Sequence, residues 1–504
     1  MRQRSLAIDI VAAEGTCEWL FQHETYKSWV AHDRSLLWIK GKPGSGKSTL
    51  LRHVLDNILT ETSDGGNVLV LSFFFHGRGT ELQKIPLGLF RVLLYQLLDQ
   101  VPDALSSLVD TFKRHRDIYG EPGKDWQWDL GELQPMFKSS LAKVLANQSV
   151  WLFIDALDEC GEETAVSLIK EFKFLLGGKL PSTCLPFRIC FTCRQYPILD
   201  LDLGFEITVD LENGEDISKY VRNQLSTHGE STHGDSEAHE IPARILTTIV
   251  DHDRDVFMWT CLVVERVLKL RRGGHEWPYI ETTIHKIPPG LNSLYRLINK
   301  EGVGADADSL KLIQWVCCAI RPLLLDEVRW AMTIDAGCQY RSLQECQDAK
   351  NYASDSKLIE MRHITLGCGL VEVVESSNSQ IVQFMHHSVK EFFVQEGLSK
   401  LTTNLNLNPA KTDTSSSMSV VETAQHRLSR ICLKYLAMDE IHRSSIRDLS
   451  RQRFPFLHYA TTSWIMHAKQ SDRPDVPQDD LLDDLGWPSE SLANLWVRAS
   501  RAVS

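Results

Sequence analysis

Eight residues from Gly41 to Ser48 read G-K-P-G-S-G-K-S, and their types suit them to hold phosphate. Glycines let backbone amides turn inward around phosphate oxygens, and a helix N-terminus brings partial positive charge to the same place. Lys47 would neutralise the β and γ phosphates of a nucleoside triphosphate, and Ser48 would hold a magnesium ion through its hydroxyl. The expected nucleotide contacts are therefore Gly41, Lys42, Pro43, Gly44, Ser45, Gly46, Lys47, Ser48 and the following Thr49. A chance glycine-rich turn is the alternative, and context argues against it. The strand-like L-L-W-I-K precedes the loop, and Leu51, Val54, Leu55, Ile58 and Leu59 after it recur at the spacing of one helix face.

A phosphate loop of this kind calls for an acidic residue at the end of a second buried strand, because the cation needs an oxygen opposite the Ser hydroxyl. V-W-L-F-I-D-A-L-D-E supplies one: Val150 to Ile154 are the strand and Asp155 is the expected Mg²⁺ ligand, directly or through water. Asp158 and Glu159 extend the cluster. Glu159 is the candidate for polarising an attacking water, with Asp158 as the alternative. Such close carboxylates repel one another unless they share a cation; an acidic first turn of an ordinary helix is the structural reading. The next apolar run, F-R-I-C-F-T-C, ends in Arg194. Its guanidinium would either report the γ-phosphate or pair with a nearby carboxylate, and spacing leaves both open.

The elements that must position these residues follow from periodicity. Ala7 to Val30 reads as a helical lead-in carrying Trp19, Leu20, Phe21, Tyr26 and Trp29. Short apolar runs then alternate with helical segments: L-L-W-I-K, V-L-V-L-S-F-F-F, S-V-W-L-F-I-D, F-R-I-C-F-T-C and E-I-T-V-D. That alternation predicts an α/β domain with a mainly parallel sheet in three layers. Beyond Leu211 helices dominate, including Val256 to Leu270. Helices at Leu310 to Ile320 and Leu325 to Thr333, with strands Val371 to Val374 and Ile381 to Phe384, give a winged-helix-like outline. The division is a lead-in over 1–35, a nucleotide domain over 36–212, a helical domain over 213–300, a winged-helix-like domain over 301–400, and a linker with a helical C-terminal region over 401–504.

Composition bounds the partners. The 504 residues carry 54 Lys+Arg against 66 Asp+Glu, a net charge of −12 that disfavours nucleic acid as the main partner. No apolar run approaches the length of a membrane span. Twelve cysteines without a secretion signal suggest a reduced, cytoplasmic protein. Cys190 and Cys193 form a lone C-x-x-C in a strand-like run, which reads as structural thiols. His228, His233 and His239 fall in a polar, near-repeating surface loop from Ser226 to Glu240. Asp475, Asp479, Asp480, Asp483 and Asp484 read as a solvated stretch.

The chain resembles the fungal NACHT nucleoside triphosphatases of the signal-transducing STAND class, in the form with a nephrocystin-like N-terminal domain. The residues that carry the resemblance are G-T-C-E-W-L from Gly15, the run from Leu36 through the phosphate loop to Leu50, F-F-F-H-G-R-G from Phe73, F-I-D-A-L-D-E-C from Phe153 and F-T-C-R-Q-Y-P from Phe191. Further matches, among them V-Q-F-M-H-H-S-V-K-E-F-F from Val382 and F-P-F-L-H-Y-A from Phe454, extend it from about residue 8 to residue 468.

The resemblance implies a switch that is off with ADP or GDP and on with ATP or GTP and Mg²⁺. It favours the sensor reading of Arg194. It places His386 against the β-phosphate of the bound diphosphate, although His387 stands where an Asp would complete the Met-His-Asp form; a histidine satisfied by backbone within the wing is the alternative. It implies slow hydrolysis, other protein chains or self-association as partners, and an effector domain and a repeat array that are not expected within these 504 residues. Competing readings are a protein-interaction scaffold that never hydrolyses its nucleotide, a winged-helix DNA-binding regulator and, more weakly, a small-molecule kinase.

Overall fold

The computed structural model describes residues 12–61, 68–77, 79–179, 184–194, 204–227, 243–252, 256–301, 307–335, 337, 339–349, 352–376, 379–404, 420–444, 453–471 and 497. The chain divides into two compact units, Met1–Leu291 and Asn292–Ser504.

In the first unit, β1 (Arg34–Lys40), β2 (Val68–Phe74), β3 (Ser149–Asp155), β4 (Phe187–Cys193) and β5 (Gly204–Thr208) form a sheet in the order β2-β3-β4-β1-β5. Every pairing is parallel. Helices cover both faces, which is why the strands are almost wholly apolar. Successive side chains alternate between two cores: Leu36, Trp38, Leu152 and Phe191 face one, and Leu37, Ile39, Trp151 and Phe153 the other. Helices Pro86–Gln100, Leu130–Val144 and Glu162–Phe174 contribute to the first core; Lys47–Glu61 and the lead-in contribute to the second. A fully buried Phe153 or Phe191 stabilises the layer by about 1.5–3 kcal/mol. The same alternation sends Cys190 and Cys193 to opposite faces, so the C-x-x-C cannot close on one metal.

Two expectations are corrected here. Residues 12–31 are not one helix but two short ones, Trp19–Gln22 and Glu24–Ala31. Gly15 and Cys17 take left-handed backbone (φ 74° and 68°), and the His23 ring accepts the Thr25 N–H to start the second helix. The segment is pinned by Asp216, on helix Gly214–Thr227, which accepts the Cys17 N–H at 2.7 Å and the Trp19 indole N–H at 3.1 Å. Likewise E-I-T-V-D is not all strand: β5 stops at Thr208, and Val209 opens the one-turn helix Val209–Glu212. The helices Ala243–His252, Phe257–Arg272 and Trp277–Ile284 complete this unit.

The second unit contains the winged helix. Helices Ala307–Cys318, Leu325–Thr333 and Ser356–Leu366 accompany an antiparallel sheet in which β8 (Ser379–Phe384) lies between β6 (Leu323–Leu324) and β7 (Val371–Ser376). The third helix and β6 add to the expected outline. Helices Val420–Leu436 and Leu457–Ser471 pack on each other after it. The three-histidine loop from residue 228, residues 405–419 of the expected linker, and the acidic stretch around 475–484 lie outside the described residues.

Candidate nucleotide site

The order of the sheet decides which strand ends meet. Because β4 lies between β1 and β3, the C-terminal end bearing Arg194 is flanked by the ends bearing the phosphate loop and Asp155. Ligands of open α/β sheets bind at this carboxyl edge.

The loop itself runs from β1 into the helix that begins at Lys47, as its sequence demands. Gly44 and Gly46 take φ of 79° and 96°, a region that a side chain disfavours. A Cβ at Gly44 would also stand 2.6 Å from the Met258 Cβ. The loop is gripped from behind: Asp210 accepts the Lys42 N–H at 2.8 Å, the Asn213 amide donates to the Ser45 carbonyl at 3.1 Å, and the Met258 N–H donates to the Gly44 carbonyl at 2.9 Å. None of these three residues stood out in the sequence, because their partners are backbone groups more than 160 positions away.

Lys47 donates to the carbonyls of Gly41 and Lys42, both at 2.8 Å. Burial pulls its ammonium below the ordinary lysine range, opposed by Asp158, Asp210 and Asp155, while Arg194 adds to the lowering. Those five charges therefore share one site. Asp155 is buried, and burial raises its carboxyl above the usual range against hydrogen bonds from Thr192 and Ser48 and the charge of Lys47. Thr192 also went unread: its hydroxyl donates to Asp155 Oδ1 at 2.5 Å and accepts the Ala156 N–H at 2.8 Å.

The other two carboxylates diverge. Asp158 takes the Arg194 side chain, Nε to Oδ2 at 3.1 Å, and the Arg194 N–H at 3.2 Å, so the ion-pair alternative for Arg194 is realised. Glu159 Oε2 accepts the Gly77 N–H from the loop after β2. Among the described residues no three His, Cys, Asp or Glu side chains converge as a metal cage. Asp158 and Glu159 are instead held by separate partners, which leaves Asp155 and Ser48 as the pair expected to face a cation. Left-handed Ala156 (φ 49°, ψ 48°) turns the chain sharply into Leu157–Cys160, and each acid finds its own partner.

In the second unit His386 caps helix His387–Phe392, its Nδ1 lying 3.1 Å from the Ser388 N–H and 2.7 Å from the Ser388 hydroxyl. Ser388 Oγ in turn meets the Tyr295 hydroxyl at 2.9 Å. His387 faces Glu391 at 3.6 Å.

Residues 15–194 match the family model described as nephrocystin 3, N-terminal, and residues 299–406 match that of the GPI inositol-deacylase winged helix domain. Over 389 residues the chain is 26% identical to the vegetative incompatibility protein HET-E-1 of Podospora anserina. Through these two regions and this relative the chain is similar to the fungal NACHT-like NTPases. That alignment takes in 75% of this chain but only 26% of the Podospora protein, so the chain spans about a quarter of its relative's length. Among solved structures, the Aeropyrum pernix ORC2 protein in ADPNP-ADP complexes is similar at 11% identity and a TM-score of 0.32, with 78% of this chain and 94% of that one covered. A Walker-type ATPase of Pyrococcus abyssi is similar at 11% and 0.31, covering 75% and 95%. The nephrocystin 3 N-terminal match ends at Arg194 and so takes in the loop, the acidic strand end and the arginine together.

Proposed function

We propose that the chain is a STAND-type switch that binds ATP or GTP with Mg²⁺ and rests with ADP or GDP. The observation that supports this most is the convergence of Lys47, Asp155, Asp158, Asp210 and Arg194 on one loop at the carboxyl edge of the sheet. A buried carboxylate already bonded to the Ser48 hydroxyl is an oxygen donor pair that suits a hard cation, so Asp155 and Ser48 would hold Mg²⁺. The ion would offset charge on the β and γ phosphates. The chain's own part is to bind and orient. Lys47 would leave the Gly41 and Lys42 carbonyls for phosphate oxygens, Arg194 would exchange Asp158 for the γ-phosphate, and Glu159 would orient a water. Such exchanges give triphosphate and diphosphate different affinities for the two states, which a switch requires.

Lys47→Ala is expected to abolish binding of a fluorescent nucleotide that the wild type retains; undiminished affinity would sink the reading. Turnover should be slow, and rates of tens per second would contradict a timer. The resemblance supports a contact of His386 with the diphosphate, which predicts that His386→Ala weakens ADP more than ATP. Partners are proposed to be other protein chains, of this kind or another, in a response related to the incompatibility function in the relative's name. A non-hydrolysing scaffold is favoured by one observation, the tie of Glu159 to the Gly77 N–H. Equal phosphate release by wild type and Glu159→Gln would select it. A DNA reader draws little support from helix Ser356–Leu366, whose exposed residues include Leu358, Met361 and Ile364.

A further inference from the structure

The fully buried hydroxyl of Thr192 touches both the Asp155 carboxylate and the backbone that carries Asp158 and Glu159 away from it. β3 and β4 run in register with Ile154 opposite Phe191, which sets Thr192 beside Asp155 across the strand pair. A threonine hydroxyl has one proton to donate. Here that proton goes to Asp155 Oδ1 at 2.5 Å, so the oxygen's lone pairs are what receive the Ala156 N–H at 2.8 Å. The second bond matters because Ala156 is left-handed at φ 49° and ψ 48°, a backbone state that costs a non-glycine residue about 1–2 kcal/mol. Something must hold it, and the adjoining Asp155 carbonyl contributes by accepting the Phe75 N–H at 3.1 Å.

We infer that Thr192 is a positioning residue for the cation. Its hydroxyl fixes one carboxylate oxygen of Asp155 and the turn at Ala156 at once, so that the carboxylate is presented towards Ser48 in a single orientation. The inference rests on the nucleotide reading above. A valine fills the same volume without either hydrogen bond, and a serine restores both.

The test measures the affinity of fluorescent ADP and of a non-hydrolysable ATP analogue, each with excess Mg²⁺ and again with a chelator. Wild type, Thr192→Val, Thr192→Ala, Thr192→Ser and Lys47→Ala are compared. Loss of a hydrogen bond to a charged group predicts that Thr192→Val forfeits about tenfold of the Mg²⁺-dependent gain. Its metal-free affinity should match the wild type, which doubles as the check that it has folded; Thr192→Ala, with no bulk to misplace, should behave the same way, and Thr192→Ser should recover the gain. Equal weakening of both variants with and without Mg²⁺, or no weakening of either, would overturn the inference and leave the nucleotide reading standing. Binding that survives in Lys47→Ala, or is absent from the wild type, would overturn the nucleotide reading and this one with it.

Discussion

The two units bury the same kinds of charged side chain to opposite effect. In the second, Arg321 forms a two-pronged pair with Glu327 at 2.8 and 2.7 Å, and Glu327 also accepts the Leu324 N–H at 2.9 Å at the start of its own helix. Burial by itself would lower the Arg321 pKa, yet the Glu327 hydrogen bonds and charge outweigh it and the net shift is upward. In the first unit burial wins: the Lys47 ammonium is pulled down and the Asp155 carboxyl pushed up. A paired network whose charges are stabilised is architecture. A cluster whose charged forms remain destabilised by burial has reason to take up phosphate and a cation, and perturbation of that kind marks functional sites.

The largest expected effect breaks the architecture. Glu327 is fully buried, so Glu327→Ala removes both carboxylate acceptors of the part-buried Arg321 guanidinium and is expected to destabilise the second unit by about 2–3 kcal/mol, measured by denaturant unfolding. Nucleotide affinity of the first unit at permissive temperature should hold. If the substitution were tolerated within about 1 kcal/mol, the contrast between the units would lose its basis.

A smaller effect sharpens the same contrast through pH. His467 is buried between partners that assign its neutral form: Gln425 Oε1 at 2.5 Å can only accept, so Nδ1 carries the proton, and Nε2 receives the Tyr459 O–H at 2.9 Å. Burial lowers its pKa from 6.5 to about 3, and burial lowers that of His363 to about 4. The unfolded chain thus binds protons that the folded chain refuses between pH 6.5 and these lower values. Stability in that window falls as pH falls, by about 1.4 kcal/mol per pH unit for each histidine. His467→Gln should flatten the slope of unfolding free energy against pH between 6 and 4. An unchanged slope would place the acid sensitivity elsewhere.

How much of this was legible in the sequence depended on the range of the contacts. The loop Gly41–Ser48, β3 and β4 were readable because each is specified by neighbours within a few residues. Helix Ser356–Leu366 was not: Leu358 and Met361 are 60% and 65% exposed while Ile359 and His363 are buried, so its apolar residues do not trace the buried face. The lead-in misled for the opposite reason, since apolar periodicity is present but Gly15 and Cys17 break the backbone to meet Asp216. At the site the acids were found as a run and Arg194 as a candidate ion-pair partner, but Thr192 and Gly77 were not, because they reach the acids from other strand ends.

The smallest effect concerns the grip behind the loop. Asp210→Ala leaves the Lys42 N–H without its 2.8 Å acceptor and should weaken nucleotide binding about fivefold, near the 1 kcal/mol typical of one such bond. The closeness of the packing offers a stricter version. A Cβ at Gly41 would lie 2.5 Å from Asp210 Oδ1 and 2.7 Å from Ser45 Oγ, so Gly41→Ala should cost more than Asp210→Ala. In the double variant the carboxylate is gone and half of the collision with it. The two substitutions should then be non-additive, the pair binding nucleotide better than the product of the single losses. Strict additivity would mean that Asp210 acts on Lys47 through charge alone, and that the loop's shape is set by its glycines without support from the helix after β5.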